Sequence, residues 1–130
     1  RLRRYFVQDE HGYRVNNEIR EMVIFAPQNL VMDPPFTRLD LLSCRNLLIY
    51  LAPEVQKKLI PLFHYSLNPG GILVLQTQRV LGDERFKTWR YRHDPTHIVF
   101  FAEASFRALA ARWQADLCFP HADVAVFTKP

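Results

Sequence analysis

His93 and His97 stand four residues apart with Asp94 between them, which could bring two imidazoles and a carboxylate to a metal ion. That arrangement needs helical backbone. Pro95 falls inside the interval and no third ligand is close in sequence, so no metal site is expected. Cys44 and Cys118 lie far apart without metal-ligand spacing and read as free thiols in a reducing cytoplasm. Cys44 ends an apolar run and reads as a small buried residue rather than a nucleophile. Trp89 and Tyr91, interleaved with Arg90 and Arg92, could stack on bases. Aromatic residues at this density usually pack, so a lid or core-covering loop is the better reading, and nucleic acid is not expected as a partner. Only Gly12, Gly70, Gly71 and Gly82 occur, too few and too scattered for a glycine-rich phosphate or nucleotide loop.

The 130 residues suit one domain, with 48% apolar and 23% charged residues as in ordinary globular chains. Disordered, fibrous and disulfide-stapled classes are excluded on those numbers. Apolar stretches such as Leu47–Ala52 are far shorter than the roughly 20 residues of a bilayer span, so membrane insertion is not expected. No charged n-region leads into an apolar stretch, so no signal peptide is read, and a start at Arg1 rather than Met suggests a piece of something longer. The net charge of +4 comes from Arg1, Arg3 and Arg4, and from Arg79, Arg85, Lys87, Arg90 and Arg92 diluted by nearby acids. Neither cluster is a run of five like charges, so solvated faces explain them better than an acidic partner.

The scaffold for these residues is read from apolar pattern and punctuation. Residues 1–20 are polar and read as a helix end and an irregular arm. Met22–Ala26 is short, β-branched and aromatic, and stops at Pro27 as a buried strand would. Leu39–Cys44 is a second strand and Leu47–Leu51 an apolar turn or short helix. Pro53 starts a helix with Val55, Leu59, Leu62, Phe63 and Leu67 on one face, and Pro61 should bend or interrupt it. Asn68-Pro69-Gly70-Gly71 turns the chain into the strand Ile72–Leu75. Strand–helix–strand with continuous apolar strands predicts a parallel α/β unit with helices on both sheet faces. Residues 78–97 read as a long loop, Ser105–Trp113 as a helix, and Asp116–Phe119 with Val124–Thr128 as an antiparallel hairpin.

Several strings carry a resemblance: Gly12-Tyr13-Arg14-Val15, Ile19-Arg20-Glu21-Met22-Val23-Ile24-Phe25, Gln28-Asn29-Leu30, Asp33-Pro34-Pro35-Phe36, Leu39-Asp40-Leu41-Leu42-Ser43-Cys44-Arg45-Asn46-Leu47-Leu48-Ile49-Tyr50, and Leu67-Asn68-Pro69-Gly70-Gly71. Over residues 1–75 the chain resembles CheR-type chemotaxis methyltransferases, nearest to the methyltransferase part of CheB/CheR fusion proteins. The Cys-Arg-Asn-x-x-Ile-Tyr string is the most specific. The resemblance implies a partial class I (Rossmann-like) α/β fold with a central mixed sheet. It implies S-adenosylmethionine as cofactor, methylation of glutamate side chains on chemoreceptor helices or another acidic helical segment, and a cytoplasmic setting. By resemblance Asn29 and Leu30 would lie against the cofactor's adenosine, Arg45 and Asn46 would also contact the cofactor, and Tyr50 would face methyl transfer. Ligands of open α/β sheets do lie beyond the carboxyl ends of the strands. An ionised glutamate is already nucleophilic, so the protein mainly aligns donor and acceptor.

After about residue 76 that match fails. Trp89-x-Tyr91-x-x-Asp94-Pro95-Thr96-His97-Ile98-x-Phe100-Phe101, followed by Ser105-Phe106, resembles the C-terminal end of another class I methyltransferase family. The two resemblances would join near residues 72–80 within one domain, 1–130. The class I sheet has seven strands, and the first two, which bring the glycine-rich cofactor turn, have no counterpart here. Met22–Ala26 should therefore either pair directly with Leu39–Cys44 or leave an apolar edge that invites self-association. This stretch alone is expected to bind S-adenosylmethionine weakly or not at all, which a micromolar affinity by calorimetry would refute. The alternatives are a non-catalytic interaction module, which docks an acidic helix or a subunit supplying the missing strands, and a class I methyltransferase with another substrate.

Overall fold

Leu39 to Arg45 and Leu67 to Gln76 each place an apolar side chain at alternate positions, and in the computed structural model, which describes residues 2–130, they pair as parallel strands. The element order is α1 (Leu2–Tyr5), β1 (Phe6–Asp9), β2 (Gly12–Val15), α2 (Asn17–Glu21), β3 (Leu39–Arg45), a 3-10 turn Leu48–Tyr50, α3 (Pro53–Ser66), β4 (Leu67–Gln76), β5 (Arg79–Val80), α4 (Asp83–Lys87), a 3-10 turn Arg90–His93, β6 (Phe101–Ala102), α5 (Glu103–Trp113), β7 (Asp116–His121) and β8 (Val124–Thr128). The main sheet runs β3-β4-β8-β7, with β8 antiparallel to both of its neighbours. It is a mixed α/β sheet with a C-terminal hairpin, as expected. The β7 register shifts between Cys118 and His121, where Pro120 has no N–H to give to the ladder.

The core lies on one face of this sheet. Leu73, Leu75, Ala125 and Phe127 point into it, and Leu59 and Phe63 of α3 and Phe106 and Ala110 of α5 close over them. The expectation of helices on both faces is corrected: the alternate row is open, with Leu41 60% and Ile72 36% exposed. The two longest helices, α3 and α5, both pack on the same side.

Three further expectations change. The N-terminal arm is a hairpin, β1 with β2, followed by α2, whose first turn is capped by Asn16 accepting from the Ile19 N–H at 3.0 Å. Met22–Ala26 forms no strand and is not buried; Ile24 is 90% and Phe25 93% exposed. Its apolar, β-branched pattern suits a strand, but a strand needs a ladder partner, and none of the described residues provides one. Of the two arrangements expected, the apolar segment stays open. Finally, α3 runs unbroken through Pro61. The missing donor is tolerated because Leu59 and Phe63, on either side of it, are buried at 2% and 6% exposure.

The Asn68–Gly71 turn is a bulge at the start of β4: Leu39 pairs with Leu67, but Leu41 pairs with Ile72. The Lys129 ammonium donates to the carbonyls of His64 and Leu67 and so satisfies the C-terminal end of α3. Arg79, read from sequence as part of a basic surface cluster, is instead buried. Its guanidinium donates to the Ala122 and His121 carbonyls, faces Glu103 at 3.6 Å and lies 4.1 Å over the Phe119 ring.

Candidate functional site

Parallel strands end together, so the loops that leave them share one rim. After β3, Asn46 takes a left-handed backbone (φ 51°), which asparagine tolerates better than most residues. Its N–H donates to the Gln76 carbonyl at 2.9 Å, so the ends of β3 and β4 are tied to each other. The 3-10 turn Leu48–Tyr50 is fixed from behind. Buried Gln56 of α3 donates to the Leu48 and Leu51 carbonyls at 2.8 and 3.1 Å. In front, the Ile49 carbonyl accepts from the N–H groups of both Ile98 and Val99, at 2.8 and 3.2 Å. Residues far apart in sequence thereby enclose a cavity of about 260 Å³.

Arg45, Asn46, Tyr50, Gln76, Thr77 and Asp123 line the strand side of this cavity. Trp89, Tyr91, His97 and Phe100 form the opposite wall. The His97 ring stacks on Tyr91 (centroids 4.6 Å apart, planes at 29°) and meets Tyr50 edge-on at 5.2 Å. Asp94 Oδ1 accepts from the Thr96 N–H and hydroxyl, at 2.9 and 2.6 Å. The other oxygen, Oδ2, stands 3.1 Å from His97 Nδ1, at ion-pair distance but without hydrogen-bond alignment. The Thr96 hydroxyl, then its N–H, then His97 hold the Asp94 carboxyl below the usual carboxylate range.

A second cavity of about 320 Å³ opens beside β3 on its helix-covered side. It is apolar, lined by Leu30, Phe36, Leu42, Leu59 and Phe63 among others. Arg45 borders both cavities. The five residues singled out by resemblance are therefore divided. Arg45, Asn46 and Tyr50 meet at the polar cavity, Leu30 lines the apolar one, and Asn29 lines neither. Asn29 Oδ1 accepts from the Val31 and Met32 N–H groups, both at 3.1 Å, and its own N–H donates to Asp33 Oδ2 at 2.7 Å, which makes it a turn residue here. Sequence reasoning weighed His97 with Asp94 as metal ligands and missed His97 as part of this wall, with Asp94 behind it. The Asp94-Pro95-Thr96-His97 string was the available signal, a turn that fixes a carboxylate against an imidazole. Cys44 is buried, and that burial pushes its thiol up, as befits an inert core residue.

A family description, CheR methyltransferase, SAM binding domain, matches residues 1–93. This chain belongs to that family. The CheR match thus runs past residue 76, through the 3-10 turn Arg90–His93. A chemotaxis protein methyltransferase of Vibrio parahaemolyticus is 38% identical over 76 residues, 56% of this chain and 28% of that protein. An uncharacterized 104.1 kDa protein of Rhodobacter capsulatus is 46% identical over 74 residues, 57% of this chain and 8% of that protein. The chain therefore spans well under a third of these relatives. Among solved structures, human N-acetylserotonin methyltransferase in complex with SAM superposes with a TM-score of 0.66 at 16% identity, covering 84% of this chain and 34% of that one. An O-methyltransferase family protein of Burkholderia thailandensis gives 0.62 at 14%, covering 85% and 36%. At such identities the likeness is one of fold: a partial class I methyltransferase.

S-adenosylmethionine is the cofactor of the CheR family, and the residues present fit part of it. The rim offers a cation in Arg45, an amide in Asn46 and a buried Thr77 hydroxyl without a hydrogen-bond partner. The glycine-rich turn that lets backbone approach the cofactor is not among residues 1–130.

Proposed function

We propose that this chain forms the acceptor-side half of an S-adenosylmethionine-dependent methyltransferase, with the polar cavity at the ends of β3 and β4 as its methyl-transfer site. The observation that carries the reading is the meeting of Arg45, Asn46 and Tyr50 at one cavity in a CheR-family chain. When bound, S-adenosylmethionine supplies an electrophilic methyl group on a sulfonium. Arg45 and Asn46 would hold the cofactor's polar groups, and Tyr50 would flank the reacting oxygen. The relatives' names point to chemotaxis, and the family resemblance makes the acceptor a chemoreceptor glutamate or a similar acidic helical segment, met in the cytoplasm. Among the described residues no helix is long and apolar enough to cross a membrane.

The test is transfer of labelled methyl groups to a chemoreceptor fragment by the protein as its gene encodes it. Arg45→Ala should lower transfer at least tenfold, the size of one lost charge-assisted hydrogen bond. Unchanged transfer would end the reading.

A second reading rests on the open side of β3. Leu41 is 60% exposed and the Met22–Phe25 segment is largely solvent-facing, as suits a module that docks on a partner or on its own copy. The 130-residue chain should then sediment as more than a monomer at tens of micromolar. Leu41→Lys, which charges the edge strand, should return it to monomer. A monomer at every concentration would contradict this reading and leave the first untouched.

A further inference from the structure

We infer that a groove on the far side of Trp89 holds a second carboxylate of the acceptor segment, with Arg85 and Arg90 as the cations that grip it. The acceptor is then chosen as two acids on one helical face, not as a lone glutamate. This rests on the reading of the polar cavity as the methyl-transfer site and adds to it the surface that selects the segment. Selection needs such a surface. A reacting glutamate presents the same short side chain whatever segment carries it, so discrimination between segments falls to contacts outside the cavity.

The basic stretch that reads in sequence as a solvated face is divided by the fold. Three of its arginines, Arg79, Arg85 and Arg90, line a groove of about 430 Å³ whose walls contain no Asp or Glu. The charge of Arg79 is already met by Glu103 and two backbone carbonyls, and Lys87 pairs with Glu84 at 2.6 Å. Arg85 and Arg90 are exposed, and neither forms an ion pair among the described residues. Trp89 and Gln78 border this groove and the polar cavity alike, so the two are neighbours across one indole. Arg90 lies 4.8 Å over the Tyr91 ring and donates to the Tyr91 hydroxyl at 3.2 Å. Helix α4, which carries Arg85, is anchored through Phe86, edge-on to Trp89 at 6.1 Å and to Phe100 at 5.2 Å. Both cations are thus carried by the aromatic wall of the cavity.

The position suits the acceptor rather than the cofactor. Arg45 and Asn46 stand at the strand ends, and the groove lies beyond the opposite wall. A segment whose glutamate enters the cavity past Trp89 carries its neighbouring residues over the groove. On a helix, residues three or four apart are about 5–6 Å from each other on one face, so a second acid one turn or two turns along comes within reach. A guanidinium takes a carboxylate in a two-pronged fork, and two unpaired guanidinium groups leave a charge that only an acidic guest offsets. Val80, Leu81 and Phe86 give the groove apolar surface for the aliphatic stem of that second side chain.

The test measures binding and methyl transfer separately, on the protein as its gene encodes it, with alanine-rich helical peptides of about 20 residues. One peptide has a single central glutamate. The others add a second glutamate three, four or seven positions before or after it. At low salt at least one two-acid peptide should bind about threefold to tenfold more tightly than the one-acid peptide, the worth of two part-exposed ion pairs, and the advantage should shrink as salt rises. The double variant Arg85→Gln with Arg90→Gln should erase the advantage. Arg92→Gln removes a charge from the same stretch but outside the groove, and the advantage should survive it. In methyl transfer the double variant should raise KM for the two-acid peptide, whereas damage to the aromatic wall would lower kcat. The proposal is overturned if no two-acid peptide binds better than the one-acid peptide, if the advantage survives the double variant, or if Arg92→Gln removes it as well. Oligothymidine binding more tightly than the two-acid peptides would overturn it too, by making this a nucleic-acid face. Methyl transfer that treats one-acid and two-acid peptides alike would sink this inference alone. Selective binding without any methyl transfer would sink the proposed function and leave the groove.

Discussion

Phe127→Ala is expected to destabilise the chain by about 3–5 kcal/mol, the range for removing a fully buried phenylalanine. Phe127 is 1% exposed and sits where the two helices meet the sheet. Phe106 of α5 meets its ring at 6.1 Å and Trp113 at 5.7 Å, both edge-on. Truncation therefore removes partners from α5 at two points, two turns apart on the same helical face. The void cannot collapse easily, because Ala125 and Leu73 beside it are already at 1% and 0% exposure. With domain stabilities of about 5–15 kcal/mol, much of the folding free energy would be lost. Trp113 packs on the deleted ring, so urea unfolding followed by tryptophan fluorescence reads the effect directly. A midpoint within a few tenths molar of the parent would show that this face is not the core.

Gly71→Ala should be nearly as severe, at about 3 kcal/mol, for the opposite reason: there is no room. A Cβ at Gly71 would stand 2.8 Å from the Asn68 carbonyl oxygen and 2.9 Å from that of Leu39. Both are backbone atoms, so no rotamer change relieves the clash. The strands would have to separate at the bulge where β4 begins, and Gly71 also accepts a bond from the Lys129 N–H. Gly70 is the internal control. A Cβ there meets nothing within 4 Å, and only its positive φ of 74° opposes substitution. Gly70→Ala should therefore cost about 1 kcal/mol. Urea unfolding of the two variants should rank them clearly. Equal midpoints would mean that close approach at Gly71 is not what holds the bulge.

Much of the sheet was legible in the residues alone. Leu39–Cys44 is a mostly apolar run and Ile72–Leu75 a continuous one, Pro53 marks a helix start, and the Pro120–Asp123 stretch leaves room only for a tight connection. Each of these signals is local. Met22–Ala26 carries the same local signal, but its outcome depends on a neighbouring strand that residues 1–130 do not contain. The short hairpin of residues 6–15 was hidden because its strands are four residues each and mix apolar with polar side chains, too short for a periodic signal. At the site, the Cys44-Arg45-Asn46 string and Tyr50 pointed to the right rim. The opposite wall was not readable, because His97 meets Tyr50 only after the chain has passed through α3, β4 and the long loop. Asn29 was placed by family likeness; within these residues its own amide and side chain are spent on a local turn.

The paired bonds to the Ile49 carbonyl decide how the aromatic chamber can breathe. Ile98 and Val99 are both anchored to that single oxygen, and Gln56 anchors the turn that carries it. The floor and the imidazole wall therefore move as one piece with α3. Trp89 and Tyr91 lean on that wall, Tyr91 stacked on His97 at 4.6 Å and Trp89 against Phe100 at 5.5 Å, so the whole aromatic side is coupled to the same floor.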